Sequence, residues 1–221
     1  MNRVGMPVRR RRAAPCYIFE GLWWQTREVP QVLPFLQALA AFDGGLSLSH
    51  RTFRTGDDLR YWFSRIPKGD RSLVYIACHG HDGNLEPVDG RSQVRWEDLI
   101  EALRAAKSGA IEFLHFGACE IVEEGNRRHR LEALAEASGA RWVSGYTKSM
   151  DWLSSMLLDV AVVADLYLPF YHDTYCRRPQ LQKRAQWFLQ TYEQIARDLG
   201  FSGLARRLSG INGLVPERLR M

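Results

Sequence analysis

Cysteine is scarce in this sequence, and its spacing argues against two common uses of the residue. The 221 residues include four cysteines, Cys16, Cys78, Cys119 and Cys176, and no two of them form a Cys-x-x-Cys pair. Small secreted domains held together by disulfides contain more, and many structural zinc sites use such pairs. We therefore expect reduced thiols and a cytoplasmic location.

Long uninterrupted hydrophobic runs are also missing. The most apolar stretch, Leu153 to Phe170, contains Asp159, Asp165 and Pro169, and no secretory hydrophobic segment is recognisable. A membrane span needs about 20 predominantly apolar residues. This stretch therefore predicts a buried helix, and we expect no membrane partner.

Positive charge is unevenly distributed. The net charge is +5, and arginines cluster at Arg9 to Arg12 and again over 177–220. Terminal basic clusters are typical of solvated tails, and they also suit contact with nucleic acid or an acidic partner. No groove-reading motif or interleaved aromatic pattern accompanies them, so nucleic acid is not an expected partner.

Strand-like and helix-like segments alternate about five times along the chain. This pattern predicts an α/β fold of three layers, in which a mostly parallel sheet has helices on both faces. We expect Asp57 or Asp58 to cap the second helix, a hairpin over Leu85 to Val94, and one long C-terminal helix over 181–199. Strands are predicted at Cys16 to Leu22, Leu46 to Phe53, a run ending at His79, Ile111 to Phe116, and Arg141 to Gly145.

The length suits one α/β domain, which buries roughly 70% of its unfolded surface without disulfide or metal support. We assign residues 1–15 to a basic, flexible N-terminal arm and residues 16–175 to the folded domain. Residues 176–221 are assigned to a C-terminal helical extension packed on the same domain.

Two of the predicted strands end in reactive side chains beside glycine. One apolar run leads into His79-Gly80, and the other leads into Gly117-Ala118-Cys119. The carboxyl ends of neighbouring parallel strands lie at one edge of a sheet, where ligands bind. We therefore expect His79 and Cys119 to lie together.

This pairing suits covalent catalysis. A thiol titrates at about 8.5 and an imidazole at about 6.5, so a neighbouring imidazole can accept the thiol proton. Cys119 is then a candidate nucleophile and His79 its base, and the N–H groups of Gly80 and Cys119 are candidate donors to an oxyanion. Glu120 and Asp82 adjoin the pair, but the sequence assigns no third catalytic residue.

The chain resembles the caspase-like cysteine peptidases of the CHAT type, in the clan of caspases, separases and gingipains. The resemblance covers roughly Cys16 to Tyr171 and is strongest between His79 and Cys119. It rests on His79-Gly80, the further glycine Gly83, the hairpin, Trp96-Glu97-Asp98-Leu99, Gly117-Ala118-Cys119-Glu120, Val143-Ser144-Gly145 and Asp151-Trp152.

The resemblance implies a caspase-like fold and a cysteine endopeptidase that uses no cofactor. It implies His79 as base, Cys119 as nucleophile and Gly80 in the oxyanion hole. Bacterial members of the group often act in regulated proteolysis and in antiviral or cell-death defence. The implied partners are a protein substrate and, since no sensor domain is recognisable here, a separate sensor or regulatory protein, unless the chain's own loops control it.

Substrate recognition is expected around Gly117, Asp151 and Trp24. Asp151 resembles an acidic residue with which some separase-like relatives hold arginine or lysine, but it equally suits the cap of the helix that follows. Gly117 carries no charge, where some relatives have glutamine or aspartate. Trp24 suits a cleft wall, and it equally suits core or lid packing.

Two other interpretations stay open. Cys78, His79, His81, His115 and Cys119 are soft ligands for zinc, but strand alternation places Cys78 and His79 on opposite sides, so no metal is expected. The second is a catalytically silent binding module with the same fold. Cys78 and His115 are otherwise expected to pack inside the sheet.

Overall fold

A six-stranded sheet forms the centre of the molecule. The computed structural model describes residues 12–22, 31–43, 45–88, 91–172 and 178–206. The strands of this sheet are β1 (Ala14–Gly21), β2 (Leu46–Phe53), β3 (Ser72–Ala77), β7 (Ile111–Gly117), β8 (Trp142–Tyr146) and β9 (Phe201–Ala205). Their order is β2-β1-β3-β7-β8-β9, and every neighbouring pair is parallel except β8 and β9. A small antiparallel sheet contains β4 (His79–His81), β5 (Asn84–Val88) and β6 (Ser92–Val94).

Helices cover both faces of the central sheet. One face carries α2 (Gly56–Arg65), α3 (Trp96–Arg104) and α4 (Arg127–Ser138). The other carries α1 (Leu33–Asp43), α5 (Trp152–Ala161), a π-helical turn (Val162–Tyr167), α6 (Leu168–His172), α7 (Arg178–Thr191) and α8 (Glu193–Asp198).

Two separate cores follow from the alternation of side chains along each strand. In β3, Leu73 and Tyr75 pack against the α1 and α5–α8 layer, while Val74 and Ile76 pack against the α2–α4 layer. Each fully buried Val, Leu, Ile or Phe side chain stabilises the fold by about 1.5–3 kcal/mol. The predicted three-layer α/β fold with a mostly parallel sheet is confirmed.

Helix ends follow local sequence rules. The cap of α2 is Thr55 rather than Asp57 or Asp58, because the Thr55 hydroxyl accepts the Asp58 N–H at 3.2 Å and the Asp58 carboxylate accepts the Thr55 N–H at 3.0 Å. Such a reciprocal box satisfies two otherwise unpaired N–H groups. Gly139 ends α4 in the left-handed conformation, with a φ of 72°, as a helix stop requires.

Three elements differ from the sequence prediction. The third strand ends at Ala77, and His79 instead begins β4, because residues 79–81 pair with β5. The predicted long C-terminal helix is divided at Tyr192 into α7 and α8. The strand β9 was not predicted, because its sequence is short and rich in small residues and its stability comes from pairing with β8 and from burial.

The apolar stretch 153–170 lies within one continuous helical run, Trp152–His172. This run is long and apolar enough to cross a membrane, with a mean hydropathy of 1.6, and 56% of its most apolar window is buried inside the fold. Met156, Val163 and Phe170 of this run belong to the core against the sheet. The carboxylate of Asp159, inside the run, is also buried.

Candidate active site

The two strand ends predicted to be neighbours are neighbours. The strands β3 and β7 are parallel, and Ala77 lies opposite Gly117. Just beyond these two residues the backbones touch: a Cβ atom placed on Gly80 would lie 2.1 Å from the carbonyl oxygen of Cys119. No larger residue fits at position 80 without displacing the backbone that carries the thiol. His79 and Cys119 therefore flank a backbone contact at the carboxyl edge of the sheet.

The thiol of Cys119 is half-buried and has polar neighbours. Burial raises its pKa above the ordinary value, whereas hydrogen bonds from the Met150 backbone and the Ser149 side chain oppose that rise. Both donors belong to the segment that follows β8. In this arrangement the thiol stays protonated near neutral pH, so a nucleophilic thiolate requires a base.

Two carboxylates near the proposed dyad of His79 and Cys119, those of Asp82 and Glu120, contact His81. Glu120 lies 3.2 Å from Nδ1 of His81, and Asp82 lies 3.2 Å from Nε2 of the same ring. Both acidic residues are in the left-handed region, with φ values of 52° and 49°. The Gly83 N–H also donates to the Glu120 carbonyl at 3.1 Å, so these contacts join the turn after β4 to the turn after β7.

The same three side chains are the group that could hold a metal ion in the part of the chain that the structure describes. Ligand atoms of His81, Asp82 and Glu120 all lie within 4.8 Å of one another, at an exposed position. This group shares only His81 with the zinc ligands considered from the sequence. Cys78 is buried in the core beside α2–α4, whereas His115 contacts Tyr75 and Asp159 on the opposite face.

Arg130 joins three segments around the candidate site. Its guanidinium donates to the Gly83 carbonyl at 3.4 Å and to the Glu123 carboxylate at 3.3 Å. It also lies over the ring of Trp96, 4.1 Å from the ring centre. Because the Arg130 side chain is only 15% exposed, these contacts hold the histidine-bearing turn against the segment after Cys119.

A buried polar cluster lies beneath the same sheet edge. Asp159 accepts hydrogen bonds from the hydroxyls of Tyr75, at 2.6 Å, and of Tyr146, and it contacts Nε2 of His115 at 2.6 Å. Ser144 lies 2.9 Å from Nδ1 of His115. Burial, and then the charge of Asp159, raise the pKa values of both tyrosines well above their usual range.

The cluster was not recognised in the sequence. His115 was assigned to packing, and Asp159 was treated only as an interruption of an apolar run. The available signal was a carboxylate in the middle of a buried helix, because such a group needs partners. Those partners come from three strands, β3, β7 and β8, which no local pattern brings together with the helix that carries Asp159.

The predicted substrate-binding residues have different surroundings. A Cβ atom on Gly117 would lie 2.5 Å from the Tyr75 hydroxyl oxygen and 2.9 Å from Asp159 Oδ2, so glycine is needed for packing at this buried position. Asp151 caps α5 by accepting the N–H and the hydroxyl of Ser154 at 2.9 and 2.8 Å, which lowers the pKa of its carboxyl group.

The helix-cap alternative for Asp151 is therefore realised, and substrate contacts by Gly117 and Asp151 stay predictions. Trp24 lies outside the described residues.

Comparison with known proteins gives no family assignment. No protein-family model matches the sequence, and no curated protein matches it. Among solved structures, caspase-1 from Spodoptera frugiperda is 12% identical with a TM-score of 0.47 over 81% of this chain and 77% of its own. Serine palmitoyltransferase from S. paucimobilis with a bound PLP–myriocin aldimine is 11% identical with a TM-score of 0.32, and this chain spans 44% of it. At these values neither likeness bears on activity, and the sheet topology itself defines the class as three-layer α/β.

Proposed function

We propose that this protein is a cysteine endopeptidase of the caspase-like, CHAT type, with Cys119 as nucleophile and His79 as base. The observation that carries the proposal is the backbone contact between Gly80 and Cys119 at the carboxyl edge of the sheet. It brings a thiol-bearing and an imidazole-bearing residue to one edge, where substrates of parallel α/β proteins bind.

The proposed reaction proceeds through an acyl-enzyme. His79 accepts the thiol proton of Cys119, and the sulfur attacks the carbonyl carbon of the peptide bond. N–H groups of Gly80 and Cys119 donate to the oxyanion that forms. His79 then protonates the leaving amine, which leaves a thioester on Cys119. A water molecule, deprotonated by His79, attacks the thioester carbonyl carbon; the C–S bond breaks, the acid product leaves, and the proton on His79 returns to the sulfur of Cys119.

The proposed role is regulated proteolysis, in bacterial antiviral or cell-death defence in the cytoplasm, with a separate sensor or regulatory protein as the activator. A preference for arginine or lysine before the cut follows if the exposed carboxylate of Asp151 contacts that residue. This role rests on the resemblance of the segments around His79 and Cys119 to CHAT-type peptidases.

Incubation with proteome-derived peptides, followed by mass spectrometry of new termini, tests the activity. Wild type is expected to produce cuts that are absent with Cys119→Ala. His79→Ala is expected to slow cutting by roughly 10²–10⁴-fold, the usual contribution of a general base. Cys16→Ala is the matched control, because that thiol is buried opposite Leu73, near the start of β3, and away from the carboxyl edge of the sheet. Cuts that persist in Cys119→Ala would contradict the proposal.

A catalytically silent binding module is the second candidate, favoured by the raised pKa of Cys119. A thiol-directed probe separates the two functions. Selective labelling of Cys119 that is lost in His79→Ala indicates the enzyme. Labelling of Cys119 that is indifferent to His79→Ala, together with no cuts, indicates the binding module.

A further inference from the structure

A cavity of about 680 Å³ lies beside the candidate active site, on the β9 side. Its walls come from the start of α4, the segment after β8, the end of α7 with α8, and the start of β9. Ligand-binding cavities commonly have volumes of about 300–1,000 Å³. Neither His79 nor Cys119 is among the residues that line this cavity.

One wall of the cavity directly precedes, along the chain, the residues that contact the nucleophile. Thr147 and Lys148 form part of its wall. The next two residues, Ser149 and Met150, hydrogen-bond the sulfur of Cys119. Since a chain in extended conformation advances about 3.3 Å per residue, a polypeptide that passes Cys119 reaches this wall within a few residues.

The wall is fixed in position. The Thr147 N–H donates to the Gly200 carbonyl at 2.9 Å, and the Lys148 ammonium lies 3.4 Å from the Arg197 carbonyl. A Cβ atom on Gly200 would lie 2.5 Å from Thr147 Oγ1, and Gly200 has a φ of 66°, so glycine alone allows this approach without strain. The cavity is therefore preformed rather than created by a ligand.

The lining combines an apolar floor with a charged rim. Ala196 and Phe201 are buried in the floor, and Leu189 is half-buried beside them. The rim carries both cations and carboxylates. A polypeptide segment, which has apolar and polar groups along one chain, fits such a mixed lining.

The charges of the rim favour an acidic occupant. Arg197 and Glu193 form an ion pair at 2.5 Å. Of the remaining charged groups in the wall, Arg127 and Lys148 have no carboxylate within ion-pair distance among the residues that the structure describes, and only Glu124 opposes them. Two unpaired cations against one carboxylate attract a negatively charged side chain.

We propose that this cavity binds the substrate polypeptide a few residues from the cut bond, with an aspartate or glutamate of the substrate against Arg127 and Lys148. The proposal rests on the proposed peptidase function and gives it a second recognition point, independent of the residue at the cut. It also assigns the C-terminal elements α7, α8 and β9 to substrate binding.

Cut-site profiles of charge-reversal variants test the proposal. Wild-type cuts are expected to show enrichment of Asp and Glu at one fixed position near the cut. Arg127→Glu and Lys148→Glu are each expected to reduce that enrichment by roughly five- to tenfold. Lys107→Glu is the matched control, since this exposed lysine lies at the opposite end of the sheet, before β7, and the enrichment should persist. Wild-type cuts without acidic enrichment, or enrichment unchanged in both cavity variants, would overturn the proposal.

A binding measurement separates failure of this proposal from failure of the proposed function. Immobilised Cys119→Ala protein is exposed to the same peptides, and the retained peptides are compared with those on Cys119→Ala/Arg127→Glu. Preferential retention of acidic peptides by the first protein supports the cavity, even if wild type makes no cuts and the peptidase function is rejected. Equal retention by both proteins rejects the cavity, even if wild type cuts peptides at Cys119.

Discussion

Two histidine–carboxylate groups lie near the same sheet edge in opposite environments. His115 and Asp159 are 0% and 3% exposed, and their polar atoms are 2.6 Å apart. His81 and Glu120 are 62% and 33% exposed, and the corresponding distance is 3.2 Å. The same chemical pair thus occurs once inside the core and once in contact with solvent.

The difference indicates what each group can do. A buried carboxylate must keep all its partners, because the loss of one leaves a polar group unsatisfied in a medium of low dielectric. An exposed pair is screened by water and salt, so its rearrangement costs little. The Asp159 cluster therefore fixes β3, β7 and β8 relative to one another, while the His81 group adds little to the Gly83 and Arg130 contacts that join the two turns.

Removal of the buried carboxylate tests the first half of this comparison and should have the largest effect. Asp159→Ala is expected to lower the free energy of unfolding by about 3–5 kcal/mol, as for other broken buried pairs. Urea denaturation followed by circular dichroism measures it. Asp165→Ala is the control, because Asp165 also accepts from a tyrosine, Tyr192, but is 28% exposed. A similar loss in both variants would show that burial is not the cause.

Gly117→Ala disturbs the same cluster from the strand side. The added methyl group would lie 2.5 Å from the Tyr75 hydroxyl, so the cluster must shift, and overpacking of this kind costs about 1–3 kcal/mol. Urea denaturation again measures the change. Gly125→Ala is the control, since a Cβ atom there meets no atom within 4 Å. The packing explanation fails if the two substitutions have equal effects.

The alternation of strands and helices could be predicted from the sequence, whereas the buried Asp159 cluster could not. Local periodicity predicts the alternating strands and helices, and the carboxyl-edge rule predicts that the segments carrying His79 and Cys119 meet, as the contact between Gly80 and Cys119 shows. The partners of Asp159 come from β3, β7 and β8, so only the folded chain brings them together. The strand β9 was missed for a related reason, since its stability depends on β8 rather than on its own residues.

The pH dependence of Cys119 labelling tests whether partial burial at the carboxyl edge of the sheet raises the pKa of the Cys119 thiol. Since burial raises the folded-state pKa of the thiol above its ordinary value, alkylation in His79→Ala should require a higher pH than in the urea-unfolded chain. The same rise in pKa also makes the stability of the fold depend on pH. The contribution of the Cys119 thiol to the free energy of unfolding is complete below the unfolded-state pKa and falls as the pH rises through the folded-state pKa. Titration of iodoacetamide labelling by mass spectrometry measures both chains, and identical profiles would contradict burial as the cause.

The exposed histidine group should give the smallest effect on stability. Glu120→Gln is expected to change the free energy of unfolding by no more than about 0.5 kcal/mol, because the carboxylate is screened and His81 keeps Asp82 as a neighbour. A double-mutant cycle of His81→Ala with Glu120→Gln isolates the pair. Coupling below about 0.5 kcal/mol, beside a several-fold larger coupling between His115 and Asp159, would sustain the contrast between the two groups. Coupling as large as that of the buried pair would mean that the turns at the dyad are fixed as firmly as the core beneath them.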